Sequence, residues 1–266
     1  MSRFGFGLLI GLLLLALWPN AWLPHDPLAQ DLLRRLETPS RDFWLGTDML
    51  GRCVFSRTVA AASVSLGAAL VAAGAICMLA LAWGVGAAFA GRWGDALLMR
   101  IADGVMGFPT LVLALALIGI LGPSLPAVLL ALVVAWAPGL ARVVRTLAQQ
   151  ARSRDYVQAA RLAGIREWTV LRRHVLPQLW SPLAVLASLE TAGVLLALSA
   201  LSFLGLGVQP PAPEWGAMLN EARPFIETAP HLLIGPGVAV LLSTLAFNLL
   251  GEGLRAQLDT RVPLRW

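Results

Sequence analysis

The sequence predicts an all-α membrane protein with six transmembrane helices, and three features lead to this fold class. Of the 266 residues, 58% are hydrophobic and only 13% are charged, whereas a soluble domain carries about 25% charged residues. Several apolar stretches reach the roughly 20 residues that a helix needs to cross a bilayer. Polar segments rich in arginine separate these stretches, as loops separate spans.

The first half of the chain contains three predicted spans. Residues 4–23 begin like a signal peptide, but no small-residue cleavage site follows, so we expect an uncleaved first span. A polar segment precedes the long apolar region 59–89, which we expect to start as an amphipathic entry helix before it crosses the membrane. Glycines in residues 91–95 predict a turn before the third span, residues 104–121.

The second half contains the other three spans, which we place at residues 127–144, 182–204 and 232–250. The predicted domain organisation has four parts and no internal repeat. These are an N-terminal transmembrane helix at 1–23, an extracytoplasmic segment at 24–58, a transmembrane domain at 59–255 and a tail at 256–266.

Arginine predicts the orientation of the chain in the membrane. Fourteen of the twenty arginines fall in the N-terminus, the tail and the two segments on the same side as these ends, whereas acidic residues outnumber arginines on the other side. Because positive residues accumulate on the cytoplasmic side, we expect both termini in the cytoplasm. These arginines lie beside the predicted spans, so membrane orientation accounts for the high isoelectric point and no nucleic-acid partner is expected.

The residue types present exclude several chemistries. The chain contains no lysine, so it lacks the lysine of a phosphate-binding P-loop and the amine of Schiff-base catalysis. Its cysteines and histidines are isolated, without metal-ligand spacing: Cys53, Cys77, His25, His174 and His231. We therefore predict no catalytic residue, no metal site and no cofactor, and two unpaired cysteines.

The polar segment at residues 155–178 is the most informative part of the chain. Ala159, Ala160 and Ala163 leave one flank of a predicted helix small, so another surface can approach it closely. Gly164 suits the left-handed residue that ends a helix, and Pro177 marks the start of the next element. On spacing alone, a docking helix and a solvated loop that merely fixes topology are equally favoured.

The order Gln158-Ala159-Ala160, Gly164, Leu176-Pro177 resembles the "EAA" loop of ABC-importer permeases. The chain as a whole resembles the "C" permease of dipeptide, oligopeptide and nickel importers in further motifs: Trp44-Leu-Gly-Thr-Asp48, Leu50-Gly-Arg52, Phe55-Ser-Arg57, Met99-Arg-Ile-Ala-Asp103, Phe108-Pro109, Leu201 to Pro210, Trp215-Gly-Ala-Met218 and Ala246 to Gly251. Two positions depart from the family pattern, because Gln158 replaces the loop's glutamate and Cys53 replaces an aspartate.

This resemblance implies a type I ABC importer permease in a bacterial inner membrane, within the domain at 59–255. It implies a cytoplasmic coupling helix in a loop at residues 155–177 that docks on an ATPase, and the matching residues are Asp155, Tyr156, Gln158, Ala159, Ala160, Arg161 and Gly164. It also implies four partners besides the bilayer: a homologous permease, two ATPases that bind ATP and magnesium, and an extracytoplasmic solute-binding protein.

Two acidic residues lie in or near apolar spans. Glu190 falls well inside the fifth span, where a charge is costly and usually faces a water-filled path or the bundle interior. It is a candidate for lining a path for a cationic or amine-bearing substrate, and packing against a partner helix is the alternative. Asp103 follows Arg100 by three residues, so we expect these two to pair on one helix face.

Two other functional classes fit the sequence less well than an importer permease. A secondary transporter or channel that works alone is disfavoured by the docking loop and by the lack of inverted repeats. An intramembrane enzyme would need a nucleophile–base pair or metal cluster, and only Glu190 is a strongly ionisable intramembrane group. The substrate remains open between nickel or another metal complex and a dipeptide or oligopeptide, with Glu190 and Asn220 favouring metal slightly.

Overall fold

The computed structural model describes residues 2–258, and within them the chain forms ten α-helices and no β-strand. The helices are α1 (Ser2–Leu17), α2 (Val54–Phe89), α3 (Gly91–Met106), α4 (Thr110–Leu121), α5 (Leu125–Arg152), α6 (Asp155–Leu162), α7 (Glu167–Val170), α8 (Leu176–Phe203), α9 (Trp215–Ala222) and α10 (His231–Leu258). The predicted all-α class is therefore confirmed. Residues 259–266 of the predicted tail lie outside the described residues.

Four helical segments are long and apolar enough to cross a membrane: α2, α5, the continuous run Glu167–Phe203 and α10. A fifth span results if α3 and α4 count as one, although they meet at 84°. Helix α1 is shorter, at 16 residues. It extends about 24 Å at 1.5 Å per residue, less than the roughly 30 Å hydrocarbon core, so its crossing remains a prediction.

The predicted first span, residues 4–23, ends early as a helix. Pro19 has no backbone N–H to donate and disfavours the helical conformation at Trp18. The chain therefore leaves α1 at Leu17 and makes a 3₁₀ turn, Pro19–Ala21. Beyond it, residues 24–53 are largely irregular and fold against the start of α2.

The predicted third span, residues 104–121, is wrong in its bounds. Pro109 breaks the helix and disfavours the helical conformation at Phe108, so the chain bends sharply between α3 and α4. The turn predicted at residues 91–95 is also wrong. It is reduced to Ala90 and Gly91, where Gly91 has φ +72°, and α3 begins at once.

The fourth and fifth predicted spans are longer as helices than their apolar stretches. Helix α5 continues to Arg152, beyond the predicted end at residue 144. Helix α8 begins at Leu176 with Pro177 in its first turn, as the proline predicts. A π-helical segment, Leu171–Val175, joins α7 to α8 into one 37-residue helix.

Helix α2 forms the centre of the bundle and packs against both α5 and α8, while α1 packs across α10 and α2. The interface between α2 and α5 is built from small residues. A Cβ atom at Gly84 would lie 2.4 Å from the Ala141 carbonyl oxygen and 2.8 Å from the Arg145 backbone nitrogen. The two backbones are therefore close enough that Gly84 leaves no room for a side chain.

Replacement of Gly84 by alanine is expected to destabilise the protein by about 1–3 kcal/mol, because overpacking forces the two helix backbones apart. Gly86→Ala is the matched control, since a Cβ there meets no atom within 4 Å. Thermal unfolding of both purified variants measures the difference. Equal unfolding temperatures for the two variants would contradict the close packing at Gly84.

Candidate functional site

Polar side chains gather at the two opposite ends of the helix bundle. At one end, called the α6 end, α6 and α7 lie between the close of α5 and the start of α8. At the other, called the α9 end, α9 and residues 24–53 pack on the first turns of α2. The predicted coupling residues all lie at the α6 end, whereas Glu190 lies between the ends.

The end of α6 has the geometry that Gly164 predicts. Gly164 adopts φ +77°, its N–H donates to the Arg161 carbonyl at 2.9 Å, and the N–H of Ile165 donates to the Ala160 carbonyl at 3.2 Å. These two hydrogen bonds form a Schellman motif. The prediction of a short helix closed by a left-handed glycine is confirmed.

Side chains of α6 fasten it to the start of α8. Val157 is fully buried. The side-chain amide of Gln178 donates to the Tyr156 hydroxyl and, at 2.6 Å, to the His174 carbonyl. The rings of Tyr156 and His174 meet edge to face, with centroids 6.1 Å apart. These contacts connect α6 to the start of α8 and to the π-helical segment before it.

Gln158 of α6 bonds to the end of α5, whereas the side chains described above contact the start of α8. Its side-chain amide donates to the Arg152 carbonyl at 2.9 Å, one of the carbonyls at the end of α5 that lack a partner within the helix. A glutamate cannot donate this bond when ionised, so the departure from the family pattern has a structural role. On the following turn, Arg161 pairs with Glu167 at 2.8 Å.

The outer face of α6 and α7 exposes large apolar side chains. Leu162 is 90% exposed and Trp168 is 65% exposed, and Tyr156 and Ile165 are also exposed. Asp155, Ala159 and Ala163 are exposed beside them, while Ala160 and Arg161 are half-buried. An apolar patch bordered by small residues is suited to contact with another protein.

Glu190 lies at the midpoint of α8 and is half-buried. Among residues 2–258, no side chain forms a hydrogen bond or ion pair with its carboxyl group. Glu190 is therefore an unpaired acidic group in the middle of a membrane-spanning helix, about 21 Å along α8 from its first residue.

The α9 end contains a buried ionic cluster that sequence reasoning did not identify. Arg52 bonds Asp48 at 2.6 Å and Glu221 at 2.8 Å. Arg57 approaches Asp48 to 3.3 Å and Glu221 to 2.9 Å. The arginine side chains are 3% and 1% exposed. Two positive and two negative groups balance, so the cluster holds the loop, α2 and α9 together.

Helix α9 is also fixed by its first residues. The buried carboxylate of Glu214 accepts from the backbone N–H groups of Gly216 and Ala217 at 3.0 and 2.9 Å, and from the Ser65 hydroxyl at 3.1 Å. The Trp215 indole donates to the Thr58 carbonyl at 2.9 Å. Contacts at both of its ends thus align α9 with the first turns of α2.

Two further predictions concern paired groups. Asp103 pairs with Arg142 of α5, so the expected pairing with Arg100 is wrong; the exposed Arg100 lies one turn away on the same helix. Both cysteines are free thiols, as predicted. Within the described part of the chain, no group of three or more metal-binding side chains occurs.

Residues 79–263 match the family model described as "Binding-protein-dependent transport system inner membrane component". The nickel transport system permease protein NikC of Escherichia coli is 42% identical over 93% of this chain and 90% of its own length. The glutathione transport system permease protein GsiD of Pectobacterium atrosepticum is 40% identical over 96% and 86%. The dipeptide transport system permease protein DppC of Alkalihalophilus pseudofirmus is 39% identical over 86% and 75%.

Among solved structures, a chain of the MetNI methionine ABC transporter in an inward-facing conformation is similar. The TM-score is 0.58, and the similarity covers 72% of this chain and 92% of that chain. The sequence identity is 17%, so this similarity concerns the fold.

Proposed function

Because this chain belongs to the family of binding-protein-dependent transport system inner membrane components, we propose that it forms half of a transport pathway, completed by a second, homologous permease. The chain is a permease subunit of an ABC importer and has the type I importer fold. Two cytoplasmic ATPases and an extracytoplasmic solute-binding protein complete the proposed assembly. The ATPases would bind ATP and magnesium, since this chain has no lysine for a P-loop.

Helix α6 is the proposed contact with one ATPase. Its exposed apolar patch, its small outer residues and its hydrogen bonds to α5 and α8 support this role. Closure of the ATPases around ATP would displace α6, and α6 would move α8 with it. The bundle would then exchange between outward-facing and inward-facing states, which nucleotide and substrate favour to different extents.

The α6 end is proposed to face the cytoplasm, together with both termini. The distribution of arginine supports this orientation. The α9 end would then face the solute-binding protein. The ionic cluster and the buried cap of α9 would keep rigid the surface that the solute-binding protein contacts when it releases substrate.

Glu190 is the proposed site at which the pathway meets the cargo. An unpaired carboxylate halfway along a span favours a positively charged group beside it. A nickel ion carries such a charge, and so does the ammonium group of a dipeptide or of glutathione, the substrates in the names of the relatives. We therefore propose a cargo that presents a positive charge, as a metal ion, a metal complex or a small peptide.

The proposed function is tested by reconstituting the assembled importer in proteoliposomes with ATP enclosed. We expect uptake of nickel or a dipeptide that requires both ATP and the solute-binding protein. Uptake by this chain alone, without ATP, would instead indicate a secondary transporter or channel.

Glu190→Gln is expected to reduce uptake several-fold without reducing the yield of assembled complex, because it keeps the shape and removes the charge. Glu252→Gln is the matched control, since Glu252 is an exposed acid near the end of α10. If Glu190 serves packing instead, Glu190→Gln should transport normally and Glu190→Leu should lower the yield of complex. Uptake and complex yield are measured together for all three variants.

A further inference from the structure

A small cavity lies beside the ionic cluster at the α9 end. Its apolar wall includes buried residues of three helices, each at most 6% exposed: Val54 of α2, Met218 and Ala222 of α9, and Leu232 of α10. Its volume is about 20 Å³, and about 10–15 Å³ is enough to hold one water molecule. We call this feature the α9 cavity, and it has room for one molecule of that size.

Arg57 brings an unpaired hydrogen-bond donor to the α9 cavity. Its side chain lines the cavity and is 1% exposed. Nη2 donates to the Glu221 carboxylate at 2.9 Å. The buried Nη1 lies 3.3 Å from the Asp48 carboxylate but forms no hydrogen bond with any of residues 2–258. A buried donor without an acceptor is costly, and more so when it carries charge, so Nη1 requires a further partner.

Two carboxylates on the cavity wall have unused acceptor positions. Asp48 and Glu221 both line the α9 cavity. Oδ2 of Asp48 accepts one hydrogen bond, from Arg52 Nε. Within the described part of the chain, both hydrogen bonds to the Glu221 carboxylate go to Oε2, which leaves Oε1 without a donor. Because each carboxylate oxygen can accept two hydrogen bonds, either acid can accept from a donor in the cavity.

We propose that the α9 cavity binds one water molecule, which joins Arg57 to Asp48 and Glu221. The water accepts a hydrogen bond from Arg57 Nη1 and donates one to each carboxylate, and three hydrogen bonds are typical of a buried water. A cation would lie against the guanidinium group, and an anion would lie against the carboxylates. A wall that combines both signs of charge therefore favours a neutral molecule that donates and accepts.

This water connects three elements at the α9 end. Arg57 belongs to α2, Glu221 belongs to α9, and Asp48 belongs to the segment before α2. Direct ion pairs already join these elements, and the water adds a hydrogen bond to each of them. Because a buried water is costly to remove, it is part of the structure that holds α9 on α2.

The first test is a cryo-EM map of the assembled importer at a resolution that shows ordered water. We expect one peak in the α9 cavity, about 2.7–3.2 Å from Arg57 Nη1 and from a carboxylate oxygen of Asp48 or Glu221. A peak that contacts only the carboxylates, at the roughly 2.3–2.6 Å of a calcium ion, would overturn the proposal. So would a peak that contacts Arg57 alone, or a map that resolves other buried waters and none here.

The second test does not depend on the resolution of a map. Short X-ray pulses split bound water into hydroxyl radicals inside the protein, and such radicals oxidise a neighbouring methionine to its sulfoxide. Met218 lines the cavity and is 6% exposed. Trp215 is the internal control, because its reactive indole is 1% exposed on the same helix and lies outside the cavity. We expect X-ray pulses to oxidise Met218 several-fold more than Trp215.

Hydroxyl radicals generated from peroxide in the surrounding solution provide the comparison. They should leave both buried side chains almost unmodified, since they reach exposed groups first. Equally low oxidation of Met218 and Trp215 by X-ray pulses would overturn the proposal. Oxidation of Met218 to the same extent by both sources of radicals would overturn it too, because the cavity would then be open to bulk solvent.

Discussion

Ala160→Arg should reduce ATP-driven uptake at least about tenfold. The chain should still insert and assemble with its partner permease. A tenfold change corresponds to about 1.4 kcal/mol. Ala160 is only half-buried on α6, between the exposed Ala159 and Leu162, so we expect an arginine there to occupy part of the proposed ATPase contact. A bulky charge that is desolvated without a partner is costly.

Gly164→Pro should have the same effect for a different reason. Gly164 has φ +77°, whereas proline fixes φ near −65°, so the Schellman motif cannot form. Gly164→Ala distinguishes the effect of the backbone conformation at residue 164 from the effect of a bulky side chain there. A Cβ there meets no atom within 4 Å, so alanine should cost only the roughly 1–2 kcal/mol of a left-handed residue.

Co-purification of the ATPases and uptake are the two measurements for these α6 variants. Ala96→Arg is the matched control, since Ala96 is exposed on α3 away from α6. It should retain both ATPase and uptake. Normal uptake by Ala160→Arg and Gly164→Pro together would remove the proposed coupling role of α6.

Glu221→Gln is expected to destabilise the protein by about 3–5 kcal/mol, as the loss of one partner from a buried ion pair does. Without that charge, Arg52 and Arg57 share Asp48 alone, although both are almost fully buried. The double variant Arg57→Gln, Glu221→Gln restores charge balance. It should be less destabilised than Glu221→Gln alone.

Arg34→Gln provides the comparison for this cluster. Arg34 and Asp31 form an exposed pair at 3.5 Å, and exposed pairs contribute about 0.2–1 kcal/mol. Thermal unfolding of the purified complexes ranks the variants. If Glu221→Gln unfolds like Arg34→Gln, the buried cluster does not stabilise the α9 end.

Features set by neighbouring residues could be predicted from the sequence. The apolar spans follow from stretches of suitable length, and the end of α6 follows from Gly164 because a left-handed helix end is a local requirement. The break between α3 and α4 is not among these predicted features, although Pro109 is present in the sequence. Residues 104–121 carry no charged side chain, so composition alone predicts one span, and the bend at Pro109 depends on the local backbone.

Contacts between distant residues could not be predicted in the same way. Asp48 and Arg52 are four residues apart, but Glu221 lies 169 residues beyond Arg52, and no periodicity connects them. Asp103 has two arginines within reach, and only the packing of α3 on α5 selects Arg142 over Arg100. The unpaired state of Glu190 likewise depends on which helix faces surround it.

Helix α7, the π-helical segment and α8 form one continuous helix of 37 residues, from Glu167 to Phe203. At 1.5 Å per residue it is about 55 Å long, and its first residue is paired with Arg161 of α6. Its far end packs on α9, where Gly216 lies against the Ser199 carbonyl. If an ATPase displaces α6, this helix would transmit the motion to Glu190, which lies about two thirds of the way along it. The π-helical segment Leu171–Val175, near its α6 end, would be the point at which it bends.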